Sequence, residues 1–337
     1  MAKIVAGLAT AHGPQLHTTP EQWLMRTEFD RRARHPFRGG VYGYDELVEM
    51  RKDEGLAAKS TPEAMAEAHA RCQVAMAGLA DVWAGIDADV AVILGNDQQE
   101  IYGDDLSPVF MVYYGETIPH HPSSEEGRRL LPPGIVEAEH GHAPDHPVDH
   151  AGHPELARHI IAALMAADFD VTASPTLPAH NPKNTGISHA FGHVYRNVMR
   201  DRVIPNVPIY QNTFYPPNQP SARRVYDFGK AVGDAIRGWK SDAKVAVFAS
   251  GGMTHFAIDE AFDRRFVRAL AEKDADFLRG LPLSDLQAGT SELKTWITLA
   301  GVLEAETTVL HEIGYIPCYR TPAGTGTAQG MYWWQVD

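Results

Sequence analysis

Short, unbroken apolar runs alternate along this chain with stretches of helical period. Residues 3–8, 89–94, 207–210 and 245–249 are too short for helices and almost free of polar positions, which is the pattern of strands buried on both faces. Residues 108–113 and 169–173 read as further strands. Between the runs, Thr61-Pro62-Glu63 opens a helix with a threonine cap, a proline in the first turn and an early acid. Met65, Cys72, Met76, Leu79 and Trp83 follow near helical spacing. Pro154 opens a second helix running to Ala166, and residues 191–200 read as a third. Residues 221–239 carry Val225, Phe228, Val232 and Ile236 on one face, and two more helices lie around 261–270 and 291–303. Strands separated by helices predict an α/β fold, with a central, mostly parallel or mixed sheet covered by helices on both faces. No linker divides the 337 residues, so residues 1–337 are expected to form a single domain. Residues 119–153, rich in Pro, Gly, Glu and His without a sustained period, read as a long excursion over the surface near a site mouth.

Charge and composition exclude several classes. A formal net charge of −13 argues against a nucleic-acid partner, because phosphate binding needs clustered Lys and Arg. No apolar stretch approaches the roughly 18 residues of a membrane helix. Met1-Ala2-Lys3-Ile4-Val5 enters a strand pattern without the basic and apolar regions of a signal peptide, so cytoplasm is the expected compartment. The two cysteines, Cys72 and Cys318, form no disulfide framework and no Cys-x-x-Cys motif. Histidine, by contrast, occurs seventeen times, which raises the expectation of a His/carboxylate metal site.

Ligands of open α/β sheets collect beyond the carboxyl ends of strands, and three strand ends here are polar. The first run leads into Thr10-Ala11-His12-Gly13-Pro14, the second into Asn96-Asp97-Gln98-Gln99-Glu100, and residues 245–249 into Gly251-Gly252-Met253-Thr254-His255, with Asp259-Glu260 soon after. Histidine and carboxylates in one pocket suit Fe(II), Mn(II) or Zn(II), and two His with one carboxylate suit oxygen chemistry at iron.

These segments, together with Ile93-Leu94-Gly95-Asn96-Asp97, Gly152 to His159, Asn212 to Pro217, Gly289-Thr290-Ser291-Glu292 and Gly324 to Ala328, carry a resemblance in their shared order. The chain resembles the class III extradiol ring-cleaving dioxygenases, in particular the β-subunit family of protocatechuate 4,5-dioxygenase and its single-chain 3-O-methylgallate dioxygenase-like branch. The resemblance implies that His12 is an iron ligand. It places His180 near the family's acid/base histidine, with His189 as the rival. It puts His153 near the substrate, and gives Tyr215 and Ser291 either a pocket-wall or a packing role. His255, after the double glycine, is a catalytic candidate that orients the site from behind the ligands. Two positions depart from the family pattern. Gln98 stands where the second His ligand is expected and is a candidate metal ligand through its carbonyl oxygen; Ala261 stands where the carboxylate is expected, which leaves Glu260, one residue earlier, as the substitute metal ligand if the backbone shifts. Asp97 and Glu100 are alternative carboxylates.

The implied function is oxygen-dependent extradiol cleavage of a catecholic, lignin-derived aromatic acid, such as 3-O-methylgallate, by non-haem Fe(II). A small aromatic acid and O2 are the expected partners, with no nucleic acid or membrane, and the expected assembly is a homo-oligomer. Two alternatives stay open: hydrolysis or decarboxylation on the same fold without redox iron, which the departures at Gln98 and Ala261 favour, and a non-catalytic protein that binds aromatic acids.

Overall fold

The computed structural model describes residues 1–103, 105–178 and 186–337. Among these, nine strands form one mixed sheet. In chain order they are β1 (Lys3–Thr10), β2 (Val90–Asn96), β3 (Phe110–Tyr113), β4 (Thr172–Ser174), β5 (Asn206–Gln211), β6 (Lys244–Ser250), β7 (His255–Ala257), β8 (Thr308–Tyr319) and β9 (Thr325–Val336). The spatial order is β7-β9-β1-β6-β2-β5-β3-β4, with β8 on the other edge of β9. The centre, β1-β6-β2-β5, is parallel. β9 runs antiparallel to β1, β7 and β8, and β3 runs antiparallel to β5.

The apolar runs sit in this parallel centre because both of its faces are covered. In β2, Val90, Val92 and Leu94 enter one core and Ala91 and Ile93 the other. Four helices cover the first face: α2 (Pro154–Ala166), α3 (Ala222–Gly238), α4 (Glu260–Glu272) and α5 (Leu293–Val302). They supply Leu156, Val225, Phe228, Phe266 and Trp296. The second face is covered by α1 (Pro62–Ala84), through Met65, Cys72, Leu79 and Trp83, and by the turns of residues 189–198. The start of α1 is the expected one, with the Thr61 hydroxyl accepting from the Ala64 N–H.

Three stretches differ from the sequence reading. The strand expected at 169–173 is only Thr172–Ser174, because β3 offers a ladder no further than Met111 opposite Thr172. Phe169 instead packs its ring 5.5 Å from that of Phe228. The helix expected at 191–200 starts earlier, at His189, and widens into π turns over Val194–Val198. The long hairpin of β8 and β9 lies outside every expected element. The excursion at 119–153 contains ordered elements: Thr117–His120 pairs with Val148–Ala151, and Ser124 caps a helix over Glu125–Leu130. Among the described residues, no helix is long and apolar enough to cross a membrane.

Candidate active site

The register of the parallel strands brings three polar loop starts together. Thr10 at the end of β1 pairs with Ser250 at the end of β6, and Ala249 with Leu94 near the end of β2. His12, Gln98 and the segment from Gly251 to His255 therefore leave the sheet side by side. They open into a cavity of about 320 Å³, whose lining includes His12, Gln98, His189, Tyr215, His255 and Glu292. Its size is at the small end of the range for small-molecule sites, roughly 300–1,000 Å³. Two other cavities, of about 350 and 360 Å³, have no histidine among their described lining residues.

Glu292, just ahead of α5, is the hub. Its Oε1 accepts from Asn96 Nδ2 at 3.2 Å and Gln98 Nε2 at 3.0 Å. Its Oε2 accepts from the Gly252 N–H at 2.7 Å and faces His12 Nε2 at 3.2 Å and His255 Nε2 at 3.7 Å. Glu292 is only 4% exposed. Burial pushes its pKa up, but His12, His255 and the Gly252 N–H outweigh burial and hold it below the usual carboxylate range, so it is ionised. Residue 252 has to be glycine, since a Cβ there would lie 2.6 Å from His255 Cε1.

The two facing imidazoles are oriented from behind. His12 Nδ1 lies 2.9 Å from Ser250 Oγ, and His255 Nδ1 lies 2.7 Å from the Met253 carbonyl oxygen. A carbonyl can only accept, so His255 carries a proton on Nδ1, and its Nε2 faces Glu292. Burial pushes the His12 pKa down, with Glu292 opposing in part. With Nδ1 engaged by the Ser250 hydroxyl, His12 turns Nε2 toward Glu292 Oε2, and that nitrogen is buried without an aligned hydrogen bond. Acceptor atoms 3.2 Å apart in a buried site call for a shared cation between them, a proton or a metal ion.

A second acid–histidine pair forms the neighbouring wall. Glu100 Oε2 accepts from His189 Nδ1 at 2.7 Å and from the His189 N–H at 3.0 Å. Burial opposes both charges, but the pairing prevails. His189 is raised to about 9, with Glu100 as the cause, and Glu100 is lowered to about 2, with His189 as the cause. The His189 ring stands edge-on to that of His12, with centroids 4.5 Å apart. Behind these lie neutral histidines: His17 Nε2 is 3.1 Å from His193 Nδ1, and His193 Nε2 is 3.2 Å from Thr10 Oγ1.

The structure thus brings His12, Gln98, His189, Tyr215 and His255 to one cavity. Gln98 serves Glu292 as a donor and accepts from the Tyr215 hydroxyl at 3.3 Å, so both ends of its amide are engaged. Glu260 corrects the expectation set for it. It opens α4 and bonds outward, to Lys59 Nζ at 2.9 Å and the Tyr319 hydroxyl at 2.8 Å, away from the cavity. The carboxylate beside His12 is Glu292 instead. His153 is also elsewhere: it caps α2 by accepting from the Leu156 N–H and packs against Trp239. Ser291 is fully buried next to Glu292 and lies outside the cavity lining, and His180 lies outside the described residues. Sequence reasoning missed Glu292, although it closes the Gly289-Thr290-Ser291-Glu292 segment, and it missed the cavity residues Arg26 and His142.

Among the described residues, no group of three or more His, Cys, Asp or Glu is disposed to hold a metal ion. The donors that fit one, an imidazole lone pair and an ionised carboxylate oxygen of the kind Fe(II) takes, are His12 Nε2 and Glu292 Oε2.

Comparison with known proteins gives three likenesses. Residues 84–324 match the family described as the catalytic LigB subunit of aromatic ring-opening dioxygenase. Over 180 residues the chain is 28% identical to the gallate dioxygenase of Pseudomonas putida, a match covering 49% of this chain and 50% of that protein. The chain thus spans about half the length of that curated relative. An uncharacterized protein of Escherichia coli K12 superposes with a TM-score of 0.44 at 12% identity, over 76% of this chain and 91% of that one.

Proposed function

The chain belongs to the family of catalytic LigB subunits of aromatic ring-opening dioxygenases, and from that membership we propose that it opens the ring of a catecholic aromatic acid beside its paired hydroxyls, using O2. The observation that carries this reading is the convergence of His12, His255 and an ionised Glu292 on one small buried cavity. His12 and Glu292 would hold Fe(II), and Gln98, committed to Glu292 and Tyr215, keeps the carboxylate turned so that Oε2 faces His12. When bound, Fe(II) supplies a Lewis acid for adjacent ring oxygens and electrons for O2.

The remaining work falls to the chain's own side chains. His255 Nε2, facing the cavity while Nδ1 is held by the Met253 carbonyl, takes the proton of a ring hydroxyl and returns it, as general acid/base chemistry requires. Thr290 fixes this histidine's backbone at both ends: the His255 N–H donates to Thr290 Oγ1 at 3.1 Å, and that hydroxyl donates to the His255 carbonyl at 2.9 Å. Imidazolium at His189, adjacent to His12, stabilises negative charge that develops on the substrate oxygens. Phe214, Phe256, Leu131 and Ile135 give the cavity an apolar wall that excludes water and stacks on a ring. A methoxylated dihydroxybenzoate, 3-O-methylgallate, is the proposed substrate, supported by the family resemblance.

A second reading, hydrolysis or decarboxylation of such an acid without a redox ion, draws on the amide at Gln98 where an imidazole ligand was expected. Oxygen uptake separates the two. Protein loaded with Fe(II) is expected to consume O2 with a catecholic acid and form a ring-opened product. His255→Gln is expected to keep its iron and lose roughly 10²- to 10⁴-fold in kcat. Product formation without O2 uptake, or full activity after exhaustive chelation, rejects the iron reading in favour of the second.

A further inference from the structure

The cavity walls carry three cations besides the histidines near Glu292, and only one of them lacks a counter-charge. His189 is paired with Glu100 at 2.7 Å. Arg320 is locked to the fully buried Asp30 by two bonds of 2.6 and 2.7 Å, and Thr325 donates to the same carboxylate at 2.8 Å. Asp30 is therefore spent. Arg26, at the end of the turn Leu24–Arg26, lines the same cavity, and no carboxylate among the described residues lies within ion-pair distance of it. Its guanidinium sits 4.5 Å over the Phe29 ring. Its stem is covered by Gly134 of the excursion, where a Cβ would lie 3.3 Å from Arg26 Cδ. This guanidinium is half-buried beside a second one, with the only nearby carboxylate already neutralised. That wall carries one unbalanced positive charge.

We propose that Arg26 is the anchor for the ring carboxylate of the aromatic acid, and so selects acids over neutral catechols. The proposal rests on the ring-opening reading for the identity of the acid. The charges of the cavity then fix the orientation. Ionised Glu292 repels a carboxylate from His12 and His255, and the unpaired guanidinium of the cavity wall accepts it with a planar fork of donors that matches its two oxygens. The hydroxyls are left facing His12, Glu292 and His255. The excursion, by laying Gly134 and its neighbours over Arg26, shields the new ion pair from water and strengthens it.

The test is equilibrium binding under anaerobic conditions, with 3,4-dihydroxybenzoate and its methyl ester as probes and O2 uptake measured separately. Arg26→Met keeps an apolar stem against Phe29 and Gly134, and circular dichroism checks its fold. It is expected to weaken binding of the acid by roughly 10- to 100-fold and to leave the ester nearly unchanged. Arg26→Lys is expected to recover part of the loss, since it keeps the charge without the fork. Equal weakening of acid and ester, an unaffected acid, or wild-type protein that binds neither probe overturns the anchor. Wild-type protein that binds the acid through Arg26 and yet consumes no O2 rejects the ring-opening reading and leaves the anchor standing.

Discussion

An amide at position 98 decides which oxygen of Glu292 is available. With Asn96 and Gln98 both donating to Oε1, only Oε2 is left to face His12 and His255. His12→Ala and Glu292→Ala should therefore abolish tight anaerobic binding of a divalent metal ion while the fold remains. Gln98→Ala should weaken binding by about 10- to 100-fold, the usual cost of removing a group that orients a ligand. Glu260→Gln should leave the affinity unchanged. Metal titration followed by calorimetry checks all four, and tight binding that survives Glu292→Ala removes this carboxylate from the site. His12 was legible in the sequence because it closes an apolar run, where α/β sheets place their ligands. Glu292 was not. A glutamate ahead of an apolar helical stretch reads as an N-terminal helix acid, and the sequence does not tell whether such an acid faces solvent or cavity. Glu260, at the start of another helix, offered the same local signal and turned out to face Lys59. The role of Gln98 was hidden too, because its partners lie 194 and 117 residues away.

At the level of elements, α5 is positioned by α3. The two cross where each has a glycine: a Cβ on Gly229 would lie 1.9 Å from the Thr298 carbonyl oxygen, and one on Gly301 would lie 2.2 Å from that of Tyr226. Backbone cannot yield as a flexible side-chain tip can. Gly229→Ala is expected to destabilise the protein by about 1–3 kcal/mol or more. It should also lower activity, because α5 follows directly on Glu292 and would be pushed aside. Gly280→Ala, with nothing within 4 Å of the added Cβ, is the control and should be near neutral. Denaturant unfolding of both variants is the measurement, and equal stabilities would remove the close crossing as the explanation. The long helices and central strands were readable because each has an uninterrupted apolar face. β8 and β9 were not. Eight of the twelve β8 residues are partly or fully exposed, His311 and Glu312 among them, and β9 buries Gln329, between Ala328 and Gly330, where an apolar residue is the usual strand signal. Antiparallel pairing over twelve residues on each side outweighs that weak local preference.

For the molecule as a whole, its many histidines set the response to acid. Burial holds His17 and His142 at about 3, His120 at about 4 and His193 well below the ordinary value. A depressed folded pKa gives stability that is present above the unfolded value near 6.5 and is lost as the pH falls. Buried Asp97 and Asp263, both raised to about 7, act in the opposite sense, taking up protons first in the folded state. Among these six groups, four against two leave an excess of about two protons bound by the unfolded chain, and His12 and His150, also lowered by burial, act in the same sense. Stability should therefore fall on acidification from pH 6.5 toward 4.5, by up to about 2.7 kcal/mol per pH unit. Thermal or denaturant unfolding at fixed ionic strength tests this, and a protein that grows more stable over that window would reverse the sign.

The position of β1 has a further consequence, for the order of events during synthesis. Lys3–Thr10 is apolar on both faces, yet its two neighbours in the sheet, Lys244–Ser250 and Thr325–Val336, are synthesised long after it. No local hairpin can satisfy its ladder in the meantime. Until those partners are made the nascent chain carries an unpaired, sticky strand, the situation in which aggregation competes with folding and chaperones hold chains apart. The centre of the sheet, and with it the loop that bears His12, is completed only when Lys3–Thr10 meets Lys244–Ser250 and Thr325–Val336.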